Sequence, residues 1–160
     1  MKRAFNIISK AVVIACFGII FSLLASPITV KATIYEYSSD VSTSDLVSQG
    51  VGNSDTLKIS ESMTITIDQD LTIQNISIKQ GKTLTIRNAQ NNNNSLHVIN
   101  YITNNDGNYN QAINIYGNVS AASIYDIQSL HVYSGNVSIS GRFDIAGSVT
   151  VENGNINADM

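Results

Sequence analysis

The chain has 160 residues, of which 43% are hydrophobic and only 13% charged, and this balance argues for one β-rich folded domain and against disorder. Beyond residue 32 it holds five Lys and Arg against twelve Asp and Glu, a net charge of −7. Because nucleic-acid binding needs clustered cations, we expect no nucleic-acid partner.

The N-terminus has the features of a secretory signal peptide. Three Lys and Arg lie in the first ten residues, the apolar run Ala11–Ala25 follows, and Val30-Lys31-Ala32 fits a peptidase site. The apolar run is short for a membrane span of about 20 residues. We therefore predict that residues 1–32 are removed from a secreted or cell-surface protein. The alternatives are an uncleaved anchor and a lipoprotein cut before Cys16, the only cysteine.

Residues 33–55 are predicted to form an N-terminal cap segment. This stretch is polar and irregular, with one short helix indicated. Ser42 and the polar residues after it offer an N-cap, Leu46 and Val47 give a small apolar face, and Gly50 is a stop signal.

From residue 56 onward, apolar and polar residues alternate in short segments, a pattern typical of strands with one buried face. Hairpins are disfavoured because few tight-turn dipeptides separate these segments. A coil fits better, because each short strand then pairs with the coils above and below at about 4.8 Å. Two Asn-rich stretches, Gln90–Ser95 and Thr103–Gln111, are predicted to leave the coil as loops. The alternating segments are Thr56–Ile59, Met63–Ile67, Leu71–Ile73, Ile76–Ile78 and Leu84–Ile86.

The last third of the chain repeats one pattern. Residues 113–127 align with 130–145, so the copies start at Ile113 and Leu130, and a third copy opens at Val149. Such a repeat indicates a β-solenoid. Leu96-His97-Val98 precedes Ile113 by the same interval that separates Ile113 from Leu130, which assigns it to the same side of the coil. Leu84 likewise follows Ile65 by one repeat, whereas the register between residues 84 and 96 stays open.

We therefore predict an all-β fold, a single-stranded parallel β-helix of about five or six rungs behind an N-terminal cap. The β-helix spans residues 56–160, and its final rung is incomplete, since nothing after Gly154-Asn155-Ile156 matches Phe143-Asp144-Ile145.

Five motifs follow one another along the chain: Tyr35-Glu36-Tyr37, Asp45-Leu46, Asp55–Ile59, Leu71–Ile73 and Gly81–Ile86. Their order resembles the opening of bacterial secreted and surface right-handed parallel β-helix proteins, a group that includes adhesin-like proteins and the pectin-lyase-like superfamily. The resemblance covers about residues 35–160 and specifies fold more than activity. It implies an extracellular location and either an adhesive or scaffold role or a polysaccharide lyase or hydrolase activity.

Stacking brings residues one repeat apart next to each other. Asn118, Asn136 and Asn155 each follow a Gly, and we predict that their amides form a structural asparagine ladder along the solenoid.

Two outward columns are predicted beside that ladder. One holds His97, Asn114, His131 and Thr150, and the next holds Ile99, Tyr116, Tyr133 and Glu152. Tyrosine beside Asn and His on a rigid sheet suits a sugar, with ring faces for C–H groups and polar tips for hydroxyls. The candidate glycan-binding residues are Asn114, Tyr116, His131 and Tyr133. The alternative is that the stacked tyrosines only stiffen the sheet.

Asp126 and Asp144 occupy matching positions, which predicts two outward carboxylates about 5 Å apart, the spacing of a retaining glycosidase. A repeated surface Asp gives the same spacing, and neither an apolar pocket nor a cleft is indicated nearby. We assign no catalytic residue, no metal ligand and no cofactor.

The sequence favours a non-catalytic, adhesin-like or scaffold solenoid with surface glycans as candidate partners. The alternative is a fragment or remnant of a β-helix polysaccharide lyase or hydrolase. An open final rung also predicts end-to-end self-association or a continuation of the chain.

Overall fold

The computed structural model describes residues 31–90, 92–104 and 106–159, which form a parallel β-solenoid of about six rungs. The fold class predicted from the sequence is confirmed. The predicted signal peptide falls almost wholly outside the described residues and stays a prediction. None of the described residues belongs to a helix with the length and hydropathy of a membrane span.

One short helix and ten strands make up the solenoid. They are β1 (Ile34–Tyr37), β2 (Val41–Ser42), α1 (Thr43–Ser48), β3 (Thr56–Ile59), β4 (Met63–Ile67), β5 (Leu71–Ile78), β6 (Thr83–Asn88), β7 (Ser95–Asn104), β8 (Ala112–Tyr116), β9 (Asn118–Ile139) and β10 (Phe143–Ala158).

The strand pairing wraps the chain around three sides. The first side runs through β1, β3 and the second half of β5, and the second side runs through β2, β4, β6 and β8. The third side joins the starts of β5, β7 and β9. The long strands β9 and β10 bend around the corners and contribute to all three sides. All pairs are parallel, so each rung rests on the one before it.

The core is a set of aliphatic columns inside the three sides. On the second side Ile65, Ile86, Ile115 and Val132 pair in order, and each is 0% exposed. Burying each such side chain stabilises the fold by about 1.5–3 kcal/mol. The alternation read from the sequence is therefore the inward-outward alternation of the strands.

Two details of the predicted register are wrong. Leu84 pairs with Met63 and not with Ile65. Leu96 lies on the third side between Leu71 and Val119, and the residue that pairs with Leu84 on the next rung is Ile113. The residues between β6 and β7 and between β7 and β8 lengthen this rung, and the apolar triplets of different sides are alike in sequence. Spacing alone therefore assigned Leu96 to the wrong side.

The short helix is confirmed at the N-terminal end. Ser42 accepts a hydrogen bond from Asp45 N–H, and the Asp45 carboxylate accepts one from Ser42 N–H, which is a capping box. Leu46, on the inner face of α1, is 0% exposed, and Gly50 follows the helix with φ +86°. The helix follows β2 directly and packs against β2 and β4 of the second side.

A corner with a glycine on each of three rungs separates the second side from the third. Gly117, Gly135 and Gly154 follow one another along this corner, and a Cβ on Gly135 would overlap the Gly117 carbonyl. Gly135 also has φ +85°, a conformation that favours glycine. We call this edge the glycine corner.

Candidate functional site

The outward column on the second side differs in part from the predicted one. Asn114 and His131 pair directly on adjacent rungs, with Thr150 next. His97 is not in this column: it lies on the third side, where its Nδ1 is 2.6 Å from Ser120 Oγ. Ile99 lies in the irregular stretch between Val98 and Tyr101 and is likewise absent from the tyrosine column. Both errors follow from the wrong side assigned to Leu96.

The four candidate glycan-binding residues lie together. The rings of Tyr116 and Tyr133 stack at 4.3 Å with 3° between their planes, and His131 stacks on Tyr133 at 3.6 Å. Arg87 places its guanidinium 5.4 Å from the Tyr116 ring centre, and His131 Nε2 lies 2.9 Å from a Glu152 carboxylate oxygen. We call Arg87, Tyr116, Tyr133, His131 and Glu152 the Tyr–His ladder.

Stacking changes what the ladder can offer a ligand. Tyr133 has Tyr116 against one face and His131 against the other, so its ring faces are covered. The predicted C–H contact with a ring face is therefore blocked at Tyr133, and the ladder presents ring edges and hydroxyl groups to solvent. Partial desolvation, the neighbouring Tyr116 phenol and Glu152 raise the pKa of Tyr133 above its usual value.

The three predicted asparagines lie across the glycine corner from the ladder. Asn136 Nδ2 donates to Asn118 Oδ1 at 3.4 Å, and Asn155 Nδ2 donates to Asn136 Oδ1 at 3.2 Å. Asn118 Oδ1 also accepts from the Asn136 backbone N–H at 3.2 Å. The amides thus form one chain of hydrogen bonds along three rungs.

A shallow groove of about 290 Å³ lies beside the asparagines on the third side. Its lining is neutral: hydroxyl and amide groups with one buried aliphatic side chain at the base. The serines of this groove were not among the predicted site residues. The repeated Asn-Val-Ser tripeptide was the available signal, because alternation places Ser on the same face as Asn. The lining residues are Ser95, Asn118, Val119, Ser120, Asn136 and Ser138.

The predicted carboxylate pair is bridged by a cation. Arg142 Nη2 binds Asp144 Oδ2 at 2.7 Å and Asp126 Oδ1 at 3.3 Å, and its guanidinium lies 4.5 Å from the Tyr125 ring centre. Asp144 pairs with Tyr125 and not with Asp126, because Asp126 has φ +59° at an irregularity of β9. The two carboxylates are therefore tied to Arg142 and are not a freely solvated pair.

Among the described residues, no three His, Cys, Asp or Glu side chains are grouped so that they could hold a metal ion. Comparisons with protein-family models, with curated proteins and with solved structures found no match.

Proposed function

We propose that this protein is a secreted or cell-surface, adhesin-like solenoid that binds glycans without chemical turnover, through the Tyr–His ladder and Asn114. The observation that carries this proposal is the row of polar groups on adjacent rungs of the second side. A sugar polymer presents hydroxyl groups at regular intervals, and a rigid row of donors and acceptors meets them with little loss of conformational entropy.

The stacking geometry decides which atoms make the contacts. Since the faces of Tyr133 are covered, the phenol hydroxyls of Tyr116 and Tyr133, the Asn114 amide and the free edge of His131 are the contacting groups. A Tyr→Phe change at both tyrosines removes the hydroxyls and leaves the stack in place. The double variant Tyr116→Phe/Tyr133→Phe should therefore lose at least tenfold in affinity while its circular dichroism stays unchanged.

A glycan array followed by calorimetry on the best binder tests the proposal. Tyr101→Phe on the first side is the matched control, because Tyr101 is half-buried like the ladder tyrosines but packs edge-on against Tyr125. Undiminished binding by the double variant would assign the ladder a structural role only.

The alternative, a remnant polysaccharide lyase or hydrolase, is tested on the same samples. Release of unsaturated or reducing-end products from polyuronides would support it, and loss of that release in Asp126→Asn and Asp144→Asn would place the chemistry at the Arg142 cluster. Arg142 weighs against this alternative, because it already pairs with both carboxylates.

A further inference from the structure

The groove on the third side is continuous with the Tyr–His ladder. Tyr116 and Asn118 are separated by Gly117 alone, and Tyr133 and Asn136 by Ser134 and Gly135. Gly117 places no side chain of its own between Tyr116 and Asn118, whose backbone distance is at most about 7 Å, whereas Ser134 lies between Tyr133 and Gly135 on the next rung. A chain molecule bound to the ladder at Tyr116 can therefore reach Asn118 across a single glycine.

The groove has hydrogen-bonding capacity left over. Asn136 and Asn155 each use one amide N–H in the asparagine chain, and the second N–H of Asn136 has no partner among the described residues. The Ser138 hydroxyl likewise has none there, and the Ser120 hydroxyl is met by His97 Nδ1 only. The amide N–H donates and the serine hydroxyls both donate and accept, which matches the dual character of a sugar hydroxyl.

The volume and the charge of the groove narrow the ligand class. About 290 Å³ is close to the lower end of small-molecule sites, which run from about 300 to 1,000 Å³. No charged side chain lines it. One rung below, Asp70 accepts the Ser95 backbone N–H at 2.8 Å, and the chain beyond residue 32 carries a net charge of −7. An anionic sugar would lose hydration and meet repulsion, with no cation in the groove to compensate.

We propose that the groove lined by Asn118, Ser120, Asn136 and Ser138 is a second subsite that takes an uncharged sugar unit of the glycan whose neighbouring units lie on the Tyr–His ladder. This inference rests on the proposed glycan-binding function and adds to it a place and a class, a neutral glycan.

The test uses matched probes: hexamers of (1→4)-linked mannose, glucose and galactose, and hexamers of the corresponding uronic acids, titrated into the purified protein by calorimetry at about 0.15 M salt. The members of each pair differ only at C6. We expect at least one neutral hexamer to bind, and its uronic partner to bind at least tenfold more weakly.

Substitutions in the groove distinguish its contribution to binding from that of the Tyr–His ladder. Ser120→Ala/Ser138→Ala should weaken the neutral hexamer at least fivefold, whereas Ser123→Ala on the first side should not. Ser138→Lys places a cation in the groove and should raise the affinity for the uronic hexamer at least tenfold. Folding of each variant is checked by circular dichroism.

Each outcome bears on one proposal or both. If the tyrosine variant loses binding while Ser120→Ala/Ser138→Ala keeps full affinity, the groove proposal fails and the ladder stands. Equal or tighter binding of the uronic hexamer by the unmodified protein also overturns the neutral assignment. If no hexamer of either kind binds, both proposals fall for these polymers.

Discussion

The two ends of the solenoid differ in how far their core side chains are covered. At the N-terminal end, β1 and β2 are the edge strands of the sheet, and α1 buries Leu46, which is 0% exposed, with Val51 4% exposed after it. At the other end, no strand among the described residues pairs with the outer edge of β10, and Val149 and Val151 are 45% and 44% exposed. Leu130 and Val132, which occupy the same columns one rung earlier, are 1% and 0% exposed.

This contrast shows that burial in a solenoid is a property of the stack. Val132 and Val151 have the same side chain, strand type and column, and differ in having a rung above them. The alternating pattern directs a residue inward, but the neighbouring rung removes it from water. The following experiments test this difference between the two ends.

The largest loss of stability should come from placing a carboxylate in the column that contains Val132 and Val151. Val132 is the covered position of this column and Val151 the uncovered one. Val132→Asp buries an unpaired carboxylate and should lower the free energy of unfolding by more than about 4 kcal/mol, enough to prevent folding. Val151→Asp places the carboxylate at the open end and should cost less than about 1 kcal/mol. Urea unfolding followed by circular dichroism measures both. Equal losses would show that the last rung is covered in solution.

The second largest loss of stability is expected from a substitution in α1. Leu46→Ala removes the side chain that α1 buries in the core and should destabilise the protein by about 2–4 kcal/mol. Val47→Ala, at the adjacent residue that is 45% exposed, is the control and should change stability by less than about 0.5 kcal/mol. A cap that contributes nothing would leave the two variants equally stable in urea.

The open edge of β10 should join two copies of the chain. Two β10 edges related by a two-fold axis would pair antiparallel and cover Val149 and Val151. Val149→Lys/Val151→Lys should weaken self-association at least tenfold, or about 1.4 kcal/mol. Sedimentation velocity over a wide concentration range measures this.

The control for that measurement is Thr64→Lys/Thr85→Lys, which adds the same charge to outward positions of the second side, away from β10. If the unmodified protein stays monomeric at every concentration, or if both double variants dissociate it equally, the edge is not the contact.

The smallest loss of stability is expected at low pH, where the hydrogen bonds between Asp68 and the start of α1 are weakened. Partial desolvation pushes the pKa of Asp68 upward, but hydrogen bonds from the Ser44 and Thr43 hydroxyls and from Ser44 N–H outweigh it and lower the pKa from 3.8 to about 2. A carboxylate with a depressed pKa stabilises the fold above its unfolded pKa, and this contribution is lost as the pH falls from about 4 to about 2.

Because Asp68 is exposed, solvent screening reduces that contribution to about 1 kcal/mol. Urea midpoints at pH 6, 4 and 2.5 should fall more for the unmodified protein than for Asp68→Asn. Identical pH profiles would show that these hydrogen bonds do not hold the cap in solution.

The sequence predicted the architecture well where the repeat is regular. Ile113 pairs with Leu130, and Leu130 with Val149, as the spacing of the three copies had indicated. The prediction from sequence spacing failed around Leu96. The preceding Asn-rich loop changes the length of the rung, and the apolar pattern does not show that change. One misplaced triplet then put His97 and Ile99 into the wrong columns.

The sequence predicted which residues form the candidate site, but it did not predict how their side chains are arranged. Repeat logic brought Asn114, Tyr116, His131 and Tyr133 to one surface, where the structure also places them. It did not show that Tyr133 is enclosed between two rings, nor that Arg142 joins Asp126 to Asp144, because both depend on side-chain directions and on irregularities within β9 and β10.

By itself, the sequence determined the period, the inward and outward faces and the glycines of the corner, since each follows from local alternation and from backbone conformation. Only the tertiary structure decided which side each triplet occupies, which ring faces stay open and which end is covered. Those features depend on contacts between residues a full rung apart in the chain, whose partners are set by loop length and by the presence of the next rung.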